Sequence, residues 1–206
     1  MSEKIEIMGI SVEKCYAEDI MESINQHWNE DTLATYGVIT MKLLIAAQKD
    51  EELKEYIETL DKAVADEPEI VKAAGLQDEA WESEISEHGF FGTLFWLLNL
   101  YKNRIFILGE KEEDTEKFCN YLKEQYPDIV ILGKDSLTDM EADQTDRVIN
   151  EINSWNPQAV LSCSREYNVE RFVKRYRKMM NTKVWFSLGS SLPVFQETGI
   201  KSNWLN

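Results

Sequence analysis

The stretch from residue 104 to residue 188 constrains the fold most, because short apolar runs alternate there with segments of helical spacing. Arg104–Gly109 and Asp128–Gly133 are apolar runs typical of buried strands, and the amphipathic segment Asp114–Tyr126 joins them. Such a βαβ unit has parallel strands. The alternation continues with a predicted helix, strand, helix and strand at Asp143–Trp155, Ala159–Ser162, Val169–Met180 and Lys183–Leu188. Three successive crossovers predict an α/β, Rossmann-like, doubly wound and mostly parallel sheet flanked by helices.

The first half of the chain predicts a small N-terminal β element and further parts of the same domain. Ile5–Val12 alternates apolar and polar residues around Gly9, which predicts a strand pair or a bulged strand. Residues 75–89 are polar and weakly periodic and predict a loop or a short irregular helix. The other predicted elements are a helix at Ala17–Trp28, a strand at Tyr36–Thr40, one helix running from Met41 to Leu60, a strand at Ala63–Ala65 and a helix packed on both sides at Phe90–Tyr101.

Length, charge and cysteine content limit the function classes. The 206 residues, 43% of them hydrophobic, suffice for one globular domain spanning 1–206. A formal charge of -16 argues against a nucleic-acid partner and against attraction to an anionic membrane. Three widely spaced cysteines favour neither a disulfide framework nor a metal cluster. We expect a cytoplasmic protein, because no signal peptide is evident and the longest apolar run, Leu94–Leu98, cannot span a bilayer.

Asp66 is the principal candidate for chemistry. It follows the apolar run Ala63–Ala65, and ligands of open α/β sheets bind outside the carboxyl ends of the strands. The neighbouring acids Glu67 and Glu69 would repel it, which can raise a carboxyl pKa toward the range useful for proton transfer. The alternative is that Asp66 only caps the helix beginning near Pro68. Spacing leaves both interpretations open.

Four further features have a functional and a structural interpretation. A basic cluster predicts either a solvated helix face or attraction to an acidic partner, which could be another part of this protein. His88 could act as an acid or a ligand, or be an ordinary loop residue. Ser190 and Ser191 could donate to an anion or form a polar loop. An aromatic group predicts core packing or a subunit contact rather than a sugar platform. The basic cluster is Arg171, Lys174, Arg175, Arg177 and Lys178, and the aromatic group is Trp81, Phe90, Phe91, Phe95 and Trp96.

The order of elements and several framework motifs resemble the WecG/TagA/CpsF glycosyltransferase family from Ile5 to about Leu188. The strand pair Ile7–Val12 and the helix with Ala47 and Lys49–Leu53 are similar to the family's first elements. More specific are the motifs at the predicted βαβ unit and the following strand, namely Phe106–Gly109 with Lys111, Glu116-Lys117, Gln125–Asp128 and Pro157–Val160.

This resemblance implies transfer of an N-acetylhexosamine or other hexose from a UDP-sugar to a lipid-linked glycan acceptor, without a metal or other cofactor. Such transfer serves bacterial cell-surface polysaccharide or teichoic acid synthesis. Asp66 occupies the place of the family's proposed general base. A carboxylate there can accept the hydroxyl proton as the acceptor oxygen bonds to the anomeric carbon.

The ligand-binding segments depart from the family pattern. Glu67-Pro68-Glu69 stands where the family has Gly-Ile-Gly. The family's Thr-x-Asn pair aligns with Val38 and Thr40, and its Arg-Val-x-Gly-x-Asp stretch aligns with Glu84–Gly89. A Gly-x-Gly-x-Pro-Lys-Gln-Glu segment becomes Cys163–Glu170 and keeps only its glutamate. Lost glycines remove places where backbone can approach a ligand. The expected substrate-binding residues are therefore few. Thr40 and Glu170 would support Asp66, and Gly189, Ser190 and Ser191 would form a residual nucleotide-facing loop.

The resemblance further implies a missing basic C-terminal appendage, for which Lys201 and Trp204 are a thin substitute. Two functions follow. One is glycosyl transfer with a degraded site that depends on Asp66. The other is a non-catalytic pseudo-glycosyltransferase that acts as a binding or scaffold partner, with a cleft filled by its own side chains, such as Glu67, Glu69, Arg165 and Tyr167. Homo-oligomerisation is expected if the aromatic residue of the polar segment before Phe90 is exposed.

Overall fold

A computed structural model describes residues 3–138 and 141–190 of the chain. The predictions for Ser191, Lys201 and Trp204 lie outside the described residues. The first half comprises β1 (Lys4–Ile7), β2 (Ile10–Glu13), α1 (Ala17–His27), β3 (Ala34–Ile39), α2 (Met41–Ala47), α3 (Glu51–Glu58), β4 (Lys62–Ala65), α4 (Pro68–Ala73), α5 (Glu79–Ser86) and α6 (Gly89–Leu100). The predicted N-terminal strand pair is confirmed, because β1 and β2 form an antiparallel hairpin with Met8 and Gly9 at positive φ in its turn.

The second half alternates strands with helices, as the apolar runs predict. Its elements are β5 (Arg104–Gly109), α7 (Glu112–Gln125), β6 (Val130–Ser136), α8 (Ala142–Trp155), β7 (Ala159–Cys163), α9 (Asn168–Tyr176), a short 3-10 turn (Arg177–Met179) and β8 (Val184–Ser187). Every pairing within the main sheet is parallel, and the order is β4-β3-β8-β7-β5-β6. The predicted α/β class with a parallel sheet and a small N-terminal β element is confirmed.

Helices cover both faces of this sheet, and alternate residues of each strand pack to opposite sides. Phe106 and Leu108 of β5 belong to one apolar core with α2, α3, α8 and α9. Ile105 and Ile107 belong to the other, with α1, α6 and α7. The period of two along a strand thus distributes the apolar run between two cores.

The helix predicted from Met41 to Leu60 is wrong as a single element. The structure has two helices, because the carboxylate of Asp50 accepts hydrogen bonds from the amides of Glu52 and Leu53, at 3.0 and 3.2 Å, and begins a new helix there. Similarly, Asp78 accepts from the amide of Trp81 at 3.0 Å and begins α5, so the polar segment is a regular helix over half its length. An N-cap depends on the side chain of one residue, so the spacing of apolar residues does not show where one helix ends and the next begins.

Two further predictions differ in detail. The second apolar run, Asp128–Gly133, predicts a buried strand, but β6 lies at the edge of the sheet and Val130 is 42% exposed. The last helix ends at Tyr176, and the 3-10 turn replaces its final residues. The exposure of β6 follows from its place at the edge of the sheet, and the order of strands in a sheet cannot be read from the sequence of one strand.

The basic cluster pairs with acids of α3 and of the turn after it. Arg171 contacts Asp50 at 2.6 Å, Arg175 contacts Glu52 at 2.5 Å, and Lys174 contacts Glu55. Arg177 lies 3.1 Å from Asp61. For these four of the five residues, the interpretation that another part of this acidic protein attracts the cluster is confirmed. Ion pairs as well as the core therefore hold α3 and α9 together.

Cys15, Cys119 and Cys163 are buried and free. Within residues 3–138 and 141–190, no helix combines the length and apolarity needed to cross a bilayer.

Candidate active site

The carboxyl ends of all six strands meet at one edge of the sheet, because the strands are parallel. Ile39 at the end of β3 pairs with Ala65 at the end of β4, so Thr40 and Asp66 both leave the sheet at the same level. The amide of Asp66 continues the ladder by donating to the carbonyl of Ile39 at 3.2 Å. This edge is where open α/β sheets bind ligands.

The side chain of Asp66 lies beside His88. Its Oδ1 is 3.3 Å from the ring Nδ1 of His88, and the side chains of Asp66 and His88 are 8% and 24% exposed. The histidine is therefore the more accessible member of the pair. The cavity between β4, α5 and α6 that both residues line has a volume of about 10 Å³.

The sequence of the α5–α6 corner places His88 there. Its backbone adopts φ +52, a left-handed conformation in which histidine is several-fold enriched over most residues. Gly89 then begins α6, while Phe90 and Phe91 anchor that helix in the core with 7% and 1% exposure. Burial of the two rings holds the corner, and with it the imidazole, against the end of β4.

Asp66 raises the pKa of His88 above its ordinary value of 6.5. The hydrogen bond between the two side chains is the main cause, and the negative charge of the carboxylate adds to it, whereas burial of the ring opposes the shift. The pair thus favours the protonated form of the imidazole. It can store or move a proton at the edge of the sheet.

The interpretation of Asp66 as a helix cap is wrong. Glu67 is the N-cap residue of α4, and Asp66 faces His88 instead. Two neighbouring polar groups have capping roles at α2. Thr40 accepts from the amide of Leu43 at 3.1 Å, and Glu67 accepts from the amide of Met41 at 2.7 Å. These two side chains therefore order the backbone next to Asp66.

A second polar cluster lies at the ends of β5 and β7. The carboxylate of Glu110 follows β5 and is 6% exposed. It accepts hydrogen bonds from the hydroxyl of Ser164 and from the amides of Arg165 at 2.7 Å, Glu166 at 2.9 Å and Asn168 at 2.8 Å. These donors belong to the loop at residues 164–168 between β7 and α9, which we call the amide loop.

Glu170 in the first turn of α9 lies against the same loop. It is 2% exposed, and this burial raises its pKa to about 7, whereas the neighbouring hydroxyl of Ser164 acts to lower it. Its Oε2 has no hydrogen-bond partner. Gly189 joins this cluster from β8, because its carbonyl accepts from the amide of Ser164 at 3.1 Å. Ser190 is half-buried beside it.

The predicted site residues thus form two groups along one edge. Asp66 and Thr40 lie at the ends of β4 and β3, whereas Glu170, Gly189 and Ser190 border the amide loop. Among the four side chains predicted to fill the cleft, Tyr167 is buried at 8% exposure and Arg165 pairs with Asp114 at 2.9 Å. Glu69 is exposed on α4.

Most of the aromatic group is core. The predicted packing role holds for four of its members, which are at most 7% exposed, namely Trp81, Phe90, Phe91 and Phe95. Trp96 is 43% exposed. Because Trp81 is the aromatic residue of the polar segment before Phe90, its burial removes the stated reason for self-association. The homo-oligomer stays a prediction.

Sequence reasoning missed Glu110 and the contact of His88 with Asp66. Glu110 directly follows an apolar strand, as Asp66 does, and that position was the available signal. Nothing local indicated its donors, which come from residues more than 50 positions later. In the described ranges, no group of three or more His, Cys, Asp or Glu residues is arranged to hold a metal ion.

An open parallel sheet that gathers acids, a histidine and an amide-rich loop at its carboxyl edge defines a Rossmann-like α/β domain. Residues 5–200 match the glycosyl transferase WecG/TagA/CpsF family. The chain belongs to this family.

Two curated relatives are similar over most of the chain. An N-acetylglucosaminyldiphosphoundecaprenol N-acetyl-beta-D-mannosaminyltransferase of Bacillus subtilis (strain 168) is 23% identical over 176 residues, which are 85% of this chain and 68% of the relative. A protein of the same name from Staphylococcus aureus (strain MRSA252) is 21% identical over 194 residues, 93% of this chain and 75% of the relative.

Proposed function

We propose that the chain transfers an N-acetylhexosamine or other hexose from a UDP-sugar to a lipid-linked glycan acceptor. Membership of the family and the names of both relatives, which describe transfer to a diphosphoundecaprenol-linked sugar, support this class of reaction. The structural observation that carries it is the contact between Asp66 and His88 at the carboxyl edge of the sheet. In this reaction the Asp66–His88 pair is the base.

The pair suits the proton transfer that such a reaction needs. The acceptor oxygen bonds to the anomeric carbon, the bond from that carbon to the diphosphate breaks, and UDP leaves with the electron pair. The acceptor's hydroxyl proton passes to the pair. Because His88 is more exposed than Asp66, the imidazole in its neutral form would meet the hydroxyl, and Asp66 would orient the ring and stabilise its charged form.

A cavity of about 10 Å³ holds no sugar, so this function requires α5 or α6 to move away from the end of β4. The same closure favours a second candidate function, a non-catalytic binding or scaffold partner. In that case Asp66 and His88 would stabilise the α5–α6 corner and nothing more.

Turnover of a UDP-N-acetylhexosamine to UDP, measured with a lipid-linked N-acetylglucosamine acceptor, tests the proposal. We expect Asp66→Asn and His88→Gln each to lower kcat by about 10²–10⁴-fold, the usual contribution of a positioned base. Glu69→Gln is the matched control, because it neutralises an exposed acid three residues from Asp66. We expect the control to keep its activity.

Binding of UDP and of UDP-sugars to the wild type, followed by calorimetry, separates the two functions. Saturable binding together with turnover supports transfer. A folded wild-type protein with neither binding nor turnover would replace the transferase by the non-catalytic partner.

A further inference from the structure

The helical layer on one face of the sheet contains an open groove. The groove lies between α1, α5 and α6 and has a volume of about 720 Å³. Ala17, Glu84 and Gly89 border both this groove and the closed cavity of about 10 Å³ beside His88. The groove is nevertheless a surface of the helical layer, whereas the Asp66–His88 pair lies at the edge of the sheet.

The shape of the groove follows from how its helices present small side chains. Residues three and four positions apart lie on one side of a helix. One such row on α5 and one on α6 border the groove, namely Ala80, Ser83 and Glu87, and Gly89, Thr93 and Trp96. Because most of these residues are small, the helices leave space between them over about two helical turns, roughly 10 Å.

Apolar side chains line much of the groove. Met21 of α1 lies in it with 7% exposure, and Leu97 of α6 is half-buried beside it. Trp96 is 43% exposed, whereas its neighbours Phe90 and Phe95 on the same helix belong to the core. Exposed tryptophan is enriched among the residues that anchor protein interfaces, and methionine adapts its shape to a partner.

The rim of the groove is negatively charged. Glu18, Glu84 and Glu87 border it, and within the described part of the chain no lysine or arginine does. Burial raises the pKa of Glu84 and the charges of Asp19 and Glu18 raise it further, while the amide of Ala17 donates to its carboxylate at 2.8 Å and opposes the shift. A cation in the groove would offset this repulsion, so the rim selects a cationic partner.

Charge also decides against two other occupants. A second copy of the chain that presents the same surface would place glutamates opposite glutamates, and like charges across an interface are unfavourable. An anionic lipid surface would be repelled in the same way. An apolar groove two helical turns long, with charge on its rim, matches the way in which amphipathic helices bind between the helices of a partner.

We propose that the groove between α1, α5 and α6 is a docking surface for an amphipathic, basic helix of another protein. The apolar side of that helix would contact Trp96, and its lysine or arginine side chains would pair with Glu18, Glu84 and Glu87. Docking goes beyond glycosyl transfer, because the groove takes no part in the chemistry of the Asp66–His88 pair.

Fluorescence anisotropy with two labelled synthetic peptides of about 14 residues, long enough to form a helix, tests the proposal. Both peptides carry leucines on one helical face, and the opposite face carries lysines in one and glutamates in the other. At 0.15 M salt we expect saturable binding of the lysine peptide alone. Trp96→Ala should weaken it at least about tenfold, because an anchoring side chain is lost. Glu87→Lys should weaken it similarly, because attraction becomes repulsion.

The chain offers a matched control for each variant. Trp155→Ala removes a tryptophan that is also 43% exposed, but that lies at the end of α8. Glu124→Lys changes the net charge by the same amount as Glu87→Lys, but on an exposed position of α7. Both controls should bind the lysine peptide as the wild type does. Thermal unfolding checks that all four variants are folded.

Four results would overturn the proposal. They are no binding of the lysine peptide to the folded wild type, equal binding of both peptides, equal effects of Trp96→Ala and Trp155→Ala, and equal effects of Glu87→Lys and Glu124→Lys. The last result would show attraction to overall charge alone. None of these measurements requires turnover, so loss of turnover in the assay of the preceding section counts against glycosyl transfer alone.

Discussion

Asp66 and Glu110 occupy equivalent positions in the chain but have different surroundings. Each is the first residue after an apolar strand of the same sheet, β4 and β5, and each is nearly buried, at 9% and 6% exposure. Four strand spacings, about 19 Å, separate the ends of these strands. Asp66 contacts an imidazole, whereas Glu110 receives three backbone amides and a hydroxyl.

The difference shows what a carboxylate at this edge can do. A proton can pass between Asp66 and His88, because an imidazole gains and loses protons near neutral pH. Amides cannot take up a proton, so the donors around Glu110 serve to hold the loop in place against this carboxylate. One position is suited to proton transfer and the other to fixing a loop.

Replacing Glu110 should have the largest effect on stability. Glu110→Ala leaves buried amides without an acceptor, and we expect a loss of about 4 kcal/mol in the free energy of unfolding. Asp66→Asn keeps a hydrogen-bonding group and should cost about 1 kcal/mol. Urea unfolding of both variants measures the contrast, with Glu112→Ala as the exposed control. Equal losses for Glu110→Ala and Asp66→Asn would break the comparison.

Glu170 sharpens the contrast, because its carboxyl is buried with too few partners. Its folded pKa of about 7 exceeds the ordinary 4.5, so the protein loses stability as the pH rises from 4.5 to about 7. A shift of this size corresponds to roughly 3 kcal/mol. We expect Glu170→Gln to be more stable than the wild type by up to that amount at pH 8.

The same measurement at low pH is the control for Glu170. Below pH 4.5 both side chains are neutral, so the stability difference between Glu170→Gln and the wild type should vanish. A glutamine variant that is less stable at pH 8 would show that the Glu170 carboxylate is not penalised.

The sequence predicts what depends on local pattern. The apolar run of β5, the helical spacing of α7 and the place of Asp66 after β4 can all be read within a few residues, and the structure has them there. Contacts between distant residues could not be predicted. His88 is 22 positions from Asp66, and the donors to Glu110 are more than 50 positions from it.

Competition between local signals explains the remaining differences. In the segment from Met41 to Leu60, helical spacing favours one helix, but the cap at Asp50 ends it and starts another. The exposure of β6 depends on strand order, which the connection between β6 and β7 decides by returning the chain to the other side of β5.

The smallest predicted effect is the titration of His88, and it tests the Asp66 side of the comparison without any substrate. The chain has only two histidines, His27 and His88, so their imidazole signals can be resolved by NMR. We expect the pKa of His88 to lie above 6.5 in the wild type and to fall in Asp66→Asn, because the carboxylate is what raises it.

The raised pKa of His88 also makes the stability of the fold depend on pH. The contribution of its pairing with Asp66 is fully present below pH 6.5 and is lost as the pH rises through the pKa of folded His88. His27 contacts Tyr36 on another part of the sheet, and its imidazole signals serve as the internal reference. A His88 pKa that does not respond to Asp66→Asn would mean that the two side chains are not coupled, and Asp66 would then lose its assigned role in orienting the imidazole.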